Sequence, residues 1–359
     1  MPPSRPVRRP WRAVARLVAG LLLAAGCAAP GPPGPPSPPP YAEVEVSVRN
    51  GDVVLAGTLT LPPGPGPHPG VVLITGRGPH DRAERGPHRP FHLLADTLAR
   101  AGAAVLRTDD RGTGRSTGSL AAASYDDLAG DALAGAALLR ARPEVDPARV
   151  GLLGHSEGGY LAPLAAAQEN AAQAEEVAFV VTLAGPAVPG ADVLVEQARR
   201  IRGLPGVGDD PEGYAAFVES FTARLRSGDR DGARTLAARV VAAVDPARPP
   251  EQQRADVDAL MERDRFLLHD PAPALRALRV PVLALFGGVD RQVAPEQNEG
   301  PMRTLLAADP DATVRTLPGL NHQFQPSATG DPAEYATIPT TIAPEVLDVL
   351  TTWMDERFG

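Results

Sequence analysis

Residues 150–159 read Val-Gly-Leu-Leu-Gly-His-Ser-Glu-Gly-Gly, and the run from Gly154 to Gly158 has the form Gly-x-Ser-x-Gly. The apolar residues 150–153 predict a buried strand, and residues 159–167 predict a helix. A serine held on a sharp strand-to-helix turn needs small neighbours, because the turn crowds the backbone and strains φ and ψ. Glycine two residues to either side relieves that crowding. The stretch therefore predicts that Ser156 is a nucleophile exposed at the edge of a sheet.

Strand and helix patterns alternate on both sides of this serine. The expected strands are 71–75, 103–107, 150–153, 177–183, 281–286 and 312–317, and the expected helices are 91–101, 125–140, 159–167, one ending at residue 306, and 343–354. Parallel strands joined by crossover helices form a doubly wound sheet whose active sites lie at the C-terminal ends of the strands. The chain is therefore expected to be α/β, with a mostly parallel sheet.

Two other segments depart from this rhythm. Residues 41–48 and 53–61 alternate apolar and polar residues around Asn50-Gly51, which predicts an N-terminal antiparallel hairpin with a type I′ turn. Residues 186–279 contain amphipathic helical stretches and no clear strand. They are expected to form a helical cap inserted between core parts 41–185 and 280–359, with a separate downstream domain as the alternative.

The N-terminus has the pattern of an export signal. Residues 1–26 contain five arginines and then a short apolar run, Leu17 to Ala25, that is too short for a permanent membrane anchor. The run ends in Leu23-Ala24-Ala25-Gly26-Cys27, and Cys27 is the single cysteine of the chain. Small residues before a lone cysteine are similar to a bacterial lipobox, although Ala24 stands where leucine is usual. We expect acylation of Cys27 and export to the cell envelope; the alternative is an ordinary secretory signal.

The composition limits the partners of the mature chain. Loss of residues 1–26 would change the formal charge from −8 to −13, so attachment to a membrane would depend on the acyl chains. Residues 27–40 are rich in proline and are expected to form a semi-rigid tether, although a structureless tail would have the same sequence. No basic patch with interleaved aromatic residues occurs, so no nucleic-acid partner is expected.

A serine hydroxyl is a weak nucleophile at neutral pH, so it needs a base within hydrogen-bond reach and an acid that orients the base. Of the seven histidines, four precede the serine, the wrong order for a Ser-Asp-His arrangement: His68, His80, His88 and His92. His155 adjoins the serine, and its side chain is expected to point elsewhere. His269 falls in the expected cap. His322 follows the last expected strand and is the predicted base.

The orienting acid should follow the preceding strand. Asp290 does so, in Gly287-Gly288-Val289-Asp290; the alternative for this residue is a turn-forming aspartate. Stabilising the oxyanion needs two backbone N–H groups aimed at the developing charge. One is expected from Glu157, directly after the nucleophile, and the other from Arg77 in the loop that follows the 71–75 strand. A simple glycine-containing turn is the alternative for the Arg77 loop.

Four segments together resemble bacterial α/β-hydrolases of the serine esterase and serine aminopeptidase-like group. They are Thr-Gly-Arg-Gly-Pro-His-Asp-Arg at 75–82, Arg-Thr-Asp-Asp-Arg-Gly-Thr-Gly-Arg-Ser at 107–116, the turn at 154–159, and Asp-Pro-Ala-Pro-Ala-Leu at 270–275 running on to Asp290 and His322. The resemblance covers the chain from about residue 42 to its end. It implies the α/β-hydrolase fold and a Ser-His-Asp triad, without specifying a substrate.

The resemblance also implies that the charges of residues 109–112 hold loops together and transfer no proton. Two departures from the group bear on the substrate pocket. Arg77 stands where a small residue is usual, and Glu-Arg-Asp-Arg at 262–265 replaces a stretch of the cap that is often rich in aromatic residues. Both are expected to bring charge near a bound ester.

The leading expectation is therefore an exported, lipid-anchored carboxylester hydrolase that acts through an acyl-enzyme on a small ester, without a metal or organic cofactor. Short acyl chains are expected, because the charges of the cap leave less apolar lining than a lipase needs. One alternative is a serine aminopeptidase or dipeptidyl-peptidase-like enzyme, in which Glu196, Glu262 or Asp264 would bind the free amine of the substrate. Another is a non-catalytic surface binding protein.

A metal site is a further interpretation of residues 80–92. His88 and His92 are spaced i, i+4 and would share a helix face, with His80 and Asp81 nearby in sequence. Zinc catalysis needs at least one further ligand and a base, and the chain has no His-Glu-x-x-His motif. These residues are expected to hydrogen-bond within loops instead.

Overall fold

The computed structural model describes residues 39–84, 88–171, 177–201, 210–262 and 264–359. The expected signal segment, Cys27 and all but the last two residues of the expected tether lie outside the described residues. Among those described, no helix is both long enough and apolar enough to cross a membrane.

The strands in the described part of the chain form one sheet in the order β1-β2-β4-β3-β5-β6-β7-β8. Their bounds are β1 Ala42–Asn50, β2 Val53–Leu61, β3 His68–Ile74, β4 Ala104–Thr108, β5 Val145–His155, β6 Val180–Leu183, β7 Val282–Gly287 and β8 Ala312–Leu317. β1 pairs antiparallel with β2, and β2 antiparallel with β4. The other neighbours are parallel. The expected mostly parallel sheet with an antiparallel N-terminal hairpin is therefore confirmed.

Helices connect and cover these strands. Their bounds are α1 Pro90–Arg100, α2 Tyr125–Arg140, α3 Gly158–Ala171, α4 Gly190–Arg200, α5 Pro211–Arg226, α6 Arg230–Val244, α7 Pro250–Met261, α8 Asp264–Leu268, α9 Ala272–Ala277, α10 Pro295–Leu305 and α11 Pro344–Phe358. A short 3-10 helix spans Pro332–Glu334. The sequence pattern located α2 and β8 to the residue and most other elements to within a few residues, because apolar periodicity marks the buried face of an element better than its ends.

The hairpin turn differs from the expected one. Asn50 pairs with Val53, so Gly51 and Asp52 are the two central residues of the turn. Gly51 has φ +59°, whereas Asp52 does not have a positive φ. A type I′ turn needs positive φ at both central positions, so the type I′ prediction is wrong. The register is set by the apolar face of the hairpin, which buries Val48 and Leu55.

Apolar side chains fill both faces of the sheet. One buried cluster joins residues of α2 and α3, such as Leu139 and Leu161, to the sheet. The other joins α1 and α11, through residues such as Leu98 and Leu350, to the opposite face. All six residues of β7 are buried, as expected for a central parallel strand covered on both sides. The helices packed on both faces of the sheet hold the C-terminal ends of the strands, and the loops that follow them, in fixed positions.

The described residues between β6 and β7 form helices α4 to α9 and no strand. Their apolar residues, such as Phe221, Met261 and Phe266, belong to the same buried cluster as α2 and α3. The described residues of the segment where the sequence predicts a cap are therefore helical, and their apolar side chains join the buried cluster that contains α2 and α3.

Candidate active site

Ser156 lies on a strained turn between β5 and α3. Its φ is +56°, in the left-handed region that costs a non-glycine residue about 1 kcal/mol or more. The amide of Ser156 donates to the backbone oxygen of Leu183 on β6, which ties the turn to the neighbouring strand at 2.9 Å. A surrounding structure that determines the turn this firmly is what allows the strained conformation to persist.

The two flanking glycines are required by contacts with the backbone. A Cβ on Gly154 would lie 2.0 Å from the carbonyl oxygen of Gly158. A Cβ on Gly158 would lie 2.4 Å from the carbonyl oxygen of Ile74, at the end of β3. Both distances are far below van der Waals contact. The Gly-x-Ser-x-Gly pattern is therefore explained by chain crowding at the point where β3, β5 and α3 meet.

Ser156, His322 and Asp290 come together in one hydrogen-bonded row. The Oγ of Ser156 lies 3.0 Å from Nε2 of His322, and Nδ1 of His322 lies 2.8 Å from Oδ2 of Asp290. Asp290 and His322 are almost fully buried, at 1% and 3% exposure. Because the carboxylate accepts from Nδ1, Nε2 faces the serine as an acceptor. The three residues chosen from the sequence thus have the mutual geometry that nucleophile, base and orienting acid require.

Backbone bonds hold the acid in this row. The second carboxylate oxygen of Asp290, Oδ1, accepts from the amides of Gln292 and Val293, at 2.7 and 2.9 Å. Every oxygen of this buried carboxylate therefore has a partner. A buried charge is tolerated only when it is paired and hydrogen-bonded in this way.

Asn321 shapes the loop that carries the histidine. Its Oδ1 accepts from the amides of Gln323 and Gln325, and its Nδ2 donates to the side-chain oxygen of Gln325. Asn321 is fully buried. A buried asparagine that ties its own loop together restricts the directions that the next residue, His322, can take.

His155 has a place that the sequence did not predict. Its Nε2 lies 2.9 Å from the backbone oxygen of His322, and the two imidazole rings are 4.9 Å apart. The side chain therefore bonds the backbone of the base and not the hydroxyl of Ser156, which agrees with the prediction that it points away from the serine. Burial, with a smaller effect of His322, lowers the pKa of His155 to about 3, so the ring is neutral and its N–H is the donor.

The loop after β3 approaches the serine closely. A Cβ on Gly76 would lie 3.3 Å from the Cβ of Ser156, so this loop and the nucleophile turn are in contact. Arg77 and Glu157, the expected oxyanion donors, both line the cavity that contains Ser156. The guanidinium carbon of Arg77 lies 5.3 Å from the centre of the Phe266 ring on α8, within the range of a cation–π contact.

Charged residues that follow β4 hold the Arg77 loop. Asp109 accepts from the amide and guanidinium of Arg82, and Asp110 accepts from the hydroxyl of Thr75 and the amide of His80. Burial raises the pKa of Asp110 to about 6. These contacts are of the loop-holding kind that the sequence resemblance implies for residues 109–112.

Glu157 has a buried side-chain partner that sequence reasoning missed. The hydroxyl of Tyr125, the first residue of α2, donates to Oε1 of Glu157 at 2.7 Å. Burial, with the nearby Glu157 carboxylate, raises the pKa of Tyr125 well above its ordinary value, so the hydroxyl stays a donor. The Tyr125 ring contacts the His269 ring at 4.7 Å between centroids. Nothing in the local pattern distinguishes Tyr125 from an ordinary core residue at a helix start.

The cavity at Ser156 has a volume of about 200 Å³ and is closed partly by the helical segment. Val193, Gln197 and Phe266 line it from α4 and α8, and Gln292 and Val293 line it from the loop of Asp290. Sequence reasoning missed these five residues, because helical periodicity shows which face of a helix is apolar but not which of its residues border a cavity.

The acidic residues proposed for amine binding lie elsewhere. Glu196 pairs with Arg200 at 2.5 Å, and Asp264 pairs with Arg230 at 2.7 Å. Glu262 is exposed, and none of the three lines the cavity with Ser156. Arg265, whose charge was expected near the ester, donates to backbone oxygens at Leu120 and Ala123 instead.

The histidines considered for a metal make other contacts. Nδ1 of His88 lies 3.2 Å from the hydroxyl of Thr341, and Nε2 of His80 lies 3.3 Å from the backbone oxygen of Arg77. Over the described ranges, no group of three or more histidine, cysteine or acidic side chains is arranged to hold a metal ion.

This sheet topology and site are those of the α/β-hydrolase fold. A family described as "Serine aminopeptidase, S33" matches residues 71–208. Esterase EstD of Thermotoga maritima is 28% identical over 316 residues, which are 88% of this chain and 68% of that protein.

Two solved structures illustrate the likeness in fold. One is Pyrococcus furiosus esterase Pf2001, with TM-score 0.54, 15% identity and coverage of 89% of this chain and 92% of that one. The other is Butyrivibrio proteoclasticus Est1E with bound ferulic acid, with TM-score 0.52, 18% identity and coverage of 87% and 98%. The fold and the relatives together support a hydrolase.

Proposed function

We propose that the chain is a serine carboxylester hydrolase that works through an acyl-enzyme. The observation that carries the proposal is the row Ser156 Oγ, His322 Nε2, His322 Nδ1 and Asp290 Oδ2, with separations of 3.0 and 2.8 Å across its two hydrogen bonds. A serine nucleophile needs a base within hydrogen-bond distance of its hydroxyl and an acid that orients the base. Both are present in this row.

In the first half-reaction Ser156 Oγ attacks the ester carbonyl while its proton passes to Nε2 of His322. The tetrahedral intermediate then breaks its bond to the leaving oxygen, which takes the proton from His322 and departs as an alcohol. In the second half-reaction a water attacks the acyl-enzyme, again with His322 as base, and releases the acid and the free serine. Asp290 keeps the proton on Nδ1 and stabilises the imidazolium in both halves.

The amides of Glu157 and Arg77 are proposed to hold the oxyanion. Support comes from their place in the cavity with Ser156 and from the contact between the Gly76 loop and the nucleophile turn. Fixed N–H donors favour the charged intermediate over the neutral ester, which is how such a site lowers the barrier. No metal or organic cofactor is part of this proposal.

Ester substrates are favoured over peptides with a free N-terminus. The described acids that line the cavity are Glu84 and Glu157. The carboxylate of Glu84 accepts from the amides of Phe91 and His92, and that of Glu157 accepts from Tyr125. Both are therefore directed at groups of the protein itself. The small cavity volume also favours a short acyl group, with residues 186–279 acting as the cap above it.

The proposal is tested by hydrolysis of p-nitrophenyl acetate and by labelling with a fluorophosphonate. Ser156→Ala should abolish labelling and lower kcat/KM by about 10³-fold or more, with the fold retained by circular dichroism. Leucyl p-nitroanilide tests the aminopeptidase alternative. A folded wild-type protein that neither labels nor hydrolyses the ester would favour the binding-protein alternative and contradict the proposal.

We also propose that the protein is exported and anchored to the cell envelope through acylated Cys27. Support comes only from the sequence: the arginine-rich start, the short apolar run and the small residues before the single cysteine. The acidic body would then contact the membrane through its lipid and not through its own charge.

A further inference from the structure

One short helix of the region between β6 and β7 contacts residues that lead to both proposed oxyanion donors. Residues 264–269 comprise helix α8 and one residue beyond it, and we call them the α8 segment. The proposed donors are the amides of Arg77, in the loop after β3, and Glu157, in the nucleophile turn. The contacts of the α8 segment therefore bear on how these two amides are held.

The first contact joins the α8 segment to Arg77. Phe266 is a buried residue of the segment and lines the cavity that contains Ser156. The guanidinium carbon of Arg77 lies 5.3 Å from the centre of the Phe266 ring, within the range of a cation–π contact. Holding a long side chain on an aromatic face limits the directions of the backbone from which it extends. The contact therefore restrains the amide of Arg77.

This restraint acts where the loop after β3 has backbone freedom. Asp110 accepts from the hydroxyl of Thr75 and the amide of His80, so it holds the loop on either side of Arg77. A glycine stands directly before and directly after Arg77, and glycine allows more backbone conformations than other residues. The contact with Phe266 adds an attachment point at Arg77 itself.

The second contact leads from the α8 segment to Glu157. The ring centroid of His269 lies 4.7 Å from those of Tyr125 and Tyr160, and each pair of rings meets edge to face. Burial lowers the pKa of His269 to about 4, and its Nε2 has no hydrogen-bond partner among the described residues. The neutral imidazole therefore acts on both tyrosines by packing. Tyr125 then donates to the carboxylate of Glu157.

The α8 segment is itself fixed by other contacts. The guanidinium of Arg265 donates to the backbone oxygens of Leu120 and Ala123, at 2.6 and 3.2 Å, just before α2 begins. A Cβ on Gly190, the first residue of α4, would lie 1.9 Å from the backbone oxygen of Phe266, so the two backbones are in close contact. A segment held at α2 and at α4 can hold the side chains that it contacts.

We propose that the α8 segment positions both oxyanion amides. Phe266 does so through the side chain of Arg77. His269 does so through Tyr125 and the carboxylate of Glu157. Both are positioning residues, because they act on the reaction through other residues. The inference rests on the proposed esterase function and gives the helical region a role in the chemical step besides covering the cavity.

A double-mutant cycle with p-nitrophenyl acetate tests the contact between Phe266 and Arg77. Phe266→Leu removes the aromatic face, and Arg77→Met removes the cation but keeps the amide. Each variant alone should lower kcat by about threefold to tenfold, the size of one cation–π contact. The double variant should fall no further, because either substitution already removes the contact. Effects that multiply, or a wild-type kcat in Arg77→Met, would overturn the inference.

A pair of substitutions at His269 tests the second contact. His269→Ala removes the ring that packs on Tyr125 and should lower kcat by about threefold or more. His269→Phe keeps an aromatic ring at that place and should recover most of the lost kcat. Equal losses in the two variants, or no loss in His269→Ala, would contradict a role of this ring in positioning.

Phe217→Leu is the matched control for a general loss of packing in the helical region. Phe217 is a buried aromatic residue on α5 that contacts Tyr214 and Phe221 and lies outside the lining of the cavity with Ser156. Its kcat should stay close to that of the wild type. A loss in Phe217→Leu as large as that in the α8 variants would assign the effect to packing and overturn the inference.

Inhibition by trifluoroacetone reports on the oxyanion site directly, because its adduct with Ser156 carries a tetrahedral oxyanion. In Phe266→Leu and His269→Ala the inhibition constant should rise by the factor by which kcat/KM falls, since both measure binding of the same charged species. KM for the ester should change little. A raised KM with an unchanged kcat would place the effect in substrate binding and contradict the positioning role.

The experiments separate this inference from the proposed function. Hydrolysis that depends on Ser156, together with a wild-type kcat in Phe266→Leu and His269→Ala, would overturn the role of the α8 segment and leave the esterase standing. If the folded wild type hydrolyses no ester, both proposals fail. Arg77→Met changes an exposed side chain, so its kcat decides the first contact even if Phe266→Leu does not fold.

Discussion

The Nε2 of His155 donates to the backbone oxygen of His322, so the residue before the nucleophile holds the backbone of the base. The contact joins positions that are 167 residues apart in the chain. It links the nucleophile turn and the histidine loop directly, in addition to the hydrogen bond between Ser156 and His322. Movement of either loop would therefore disturb both bonds together.

We predict that His155→Gln makes stability less dependent on pH. The pKa of His155 is lowered to about 3 in the folded protein, so the unfolded chain binds a proton at higher pH than the folded one. The contribution to stability is complete above the ordinary histidine pKa and is lost as pH falls toward 3. Between pH 6.5 and 4.5 the free energy of unfolding of the wild type should fall by at most about 2 kcal/mol more than that of the variant, since the ring is not fully shielded from water.

Urea unfolding at several pH values measures this difference. Glutamine keeps an N–H donor for the backbone oxygen of His322 but does not titrate. The other histidines are common to both proteins, including His269, whose pKa burial lowers to about 4, so their effects cancel. Unfolding free energies of wild type and variant that change in parallel with pH would contradict the prediction.

Tyr125→Phe should lower kcat and leave KM nearly unchanged. The substitution removes the donor to Glu157 and leaves a buried carboxylate with one partner fewer, at a cost of about 1–3 kcal/mol. Glu157 carries one of the proposed oxyanion amides, and a shift of that amide acts on the transition state more than on the bound ester. We expect a fall in kcat of about tenfold on p-nitrophenyl acetate.

Tyr160→Phe is the control for this experiment. Its hydroxyl donates to the backbone oxygen of Val188 and does not contact Glu157, so the variant loses a buried hydrogen bond of the same kind. A general loss of packing would lower kcat in both variants. The interpretation of Tyr125 as a positioning residue requires the larger effect on kcat in Tyr125→Phe.

Asp290→Asn should retain the fold and lose about 10²–10⁴-fold in kcat, because an amide does not stabilise the imidazolium or keep the proton on Nδ1. The asparagine oxygen can still accept from the amides of Gln292 and Val293, which preserves the loop. Steady-state kinetics with Asp348→Asn as a control measures the effect, since Asp348 is exposed on α11. Near wild-type turnover in Asp290→Asn would assign the orienting acid to another residue.

Gly154→Ala should destabilise the protein by more than about 3 kcal/mol or prevent folding, because its Cβ would lie 2.0 Å from the oxygen of Gly158. Gly300→Ala is the matched control: a Cβ there meets nothing within 4 Å, and Gly300 lies within α10. Alanine in a helix is favoured over glycine by about 1 kcal/mol, and Pro301, which follows directly, opposes part of that gain. This variant should therefore stay within about 1 kcal/mol of wild type. Thermal unfolding compares the two, and a mild Gly154→Ala phenotype would mean that the nucleophile turn can relax.

Cys27→Ser should release the protein from the membrane, or trap it with an uncleaved signal, without changing esterase activity. Several acyl chains on one residue hold a protein firmly, whereas one chain gives marginal binding. Triton X-114 partitioning with intact mass measures the change. A wild-type mass without lipid, with cleavage elsewhere, would contradict the anchor and leave the catalytic proposal standing.

The sequence by itself was enough to predict the sheet and the row Ser156, Asp290 and His322. Strands and helices leave periodic apolar patterns, and the order of the chain restricts which histidine and aspartate can follow the nucleophile at the same sheet edge. The glycines around Ser156 indicated from the sequence alone that the chain is crowded there, because the need for a residue without a Cβ at a strained turn is a local requirement. All of these signals lie within a few residues of the feature they predict.

Only the tertiary structure decided the contacts that support this row. Tyr125 meets Glu157 across 32 residues, and His155 meets the backbone of His322 across 167, because parallel packing brings separate strand ends and helix starts to one place. The centre of the hairpin turn was likewise decided by the register of the two strands. Such contacts depend on the register of all the strands in the sheet and on the direction of each side chain. No short stretch of sequence contains that information.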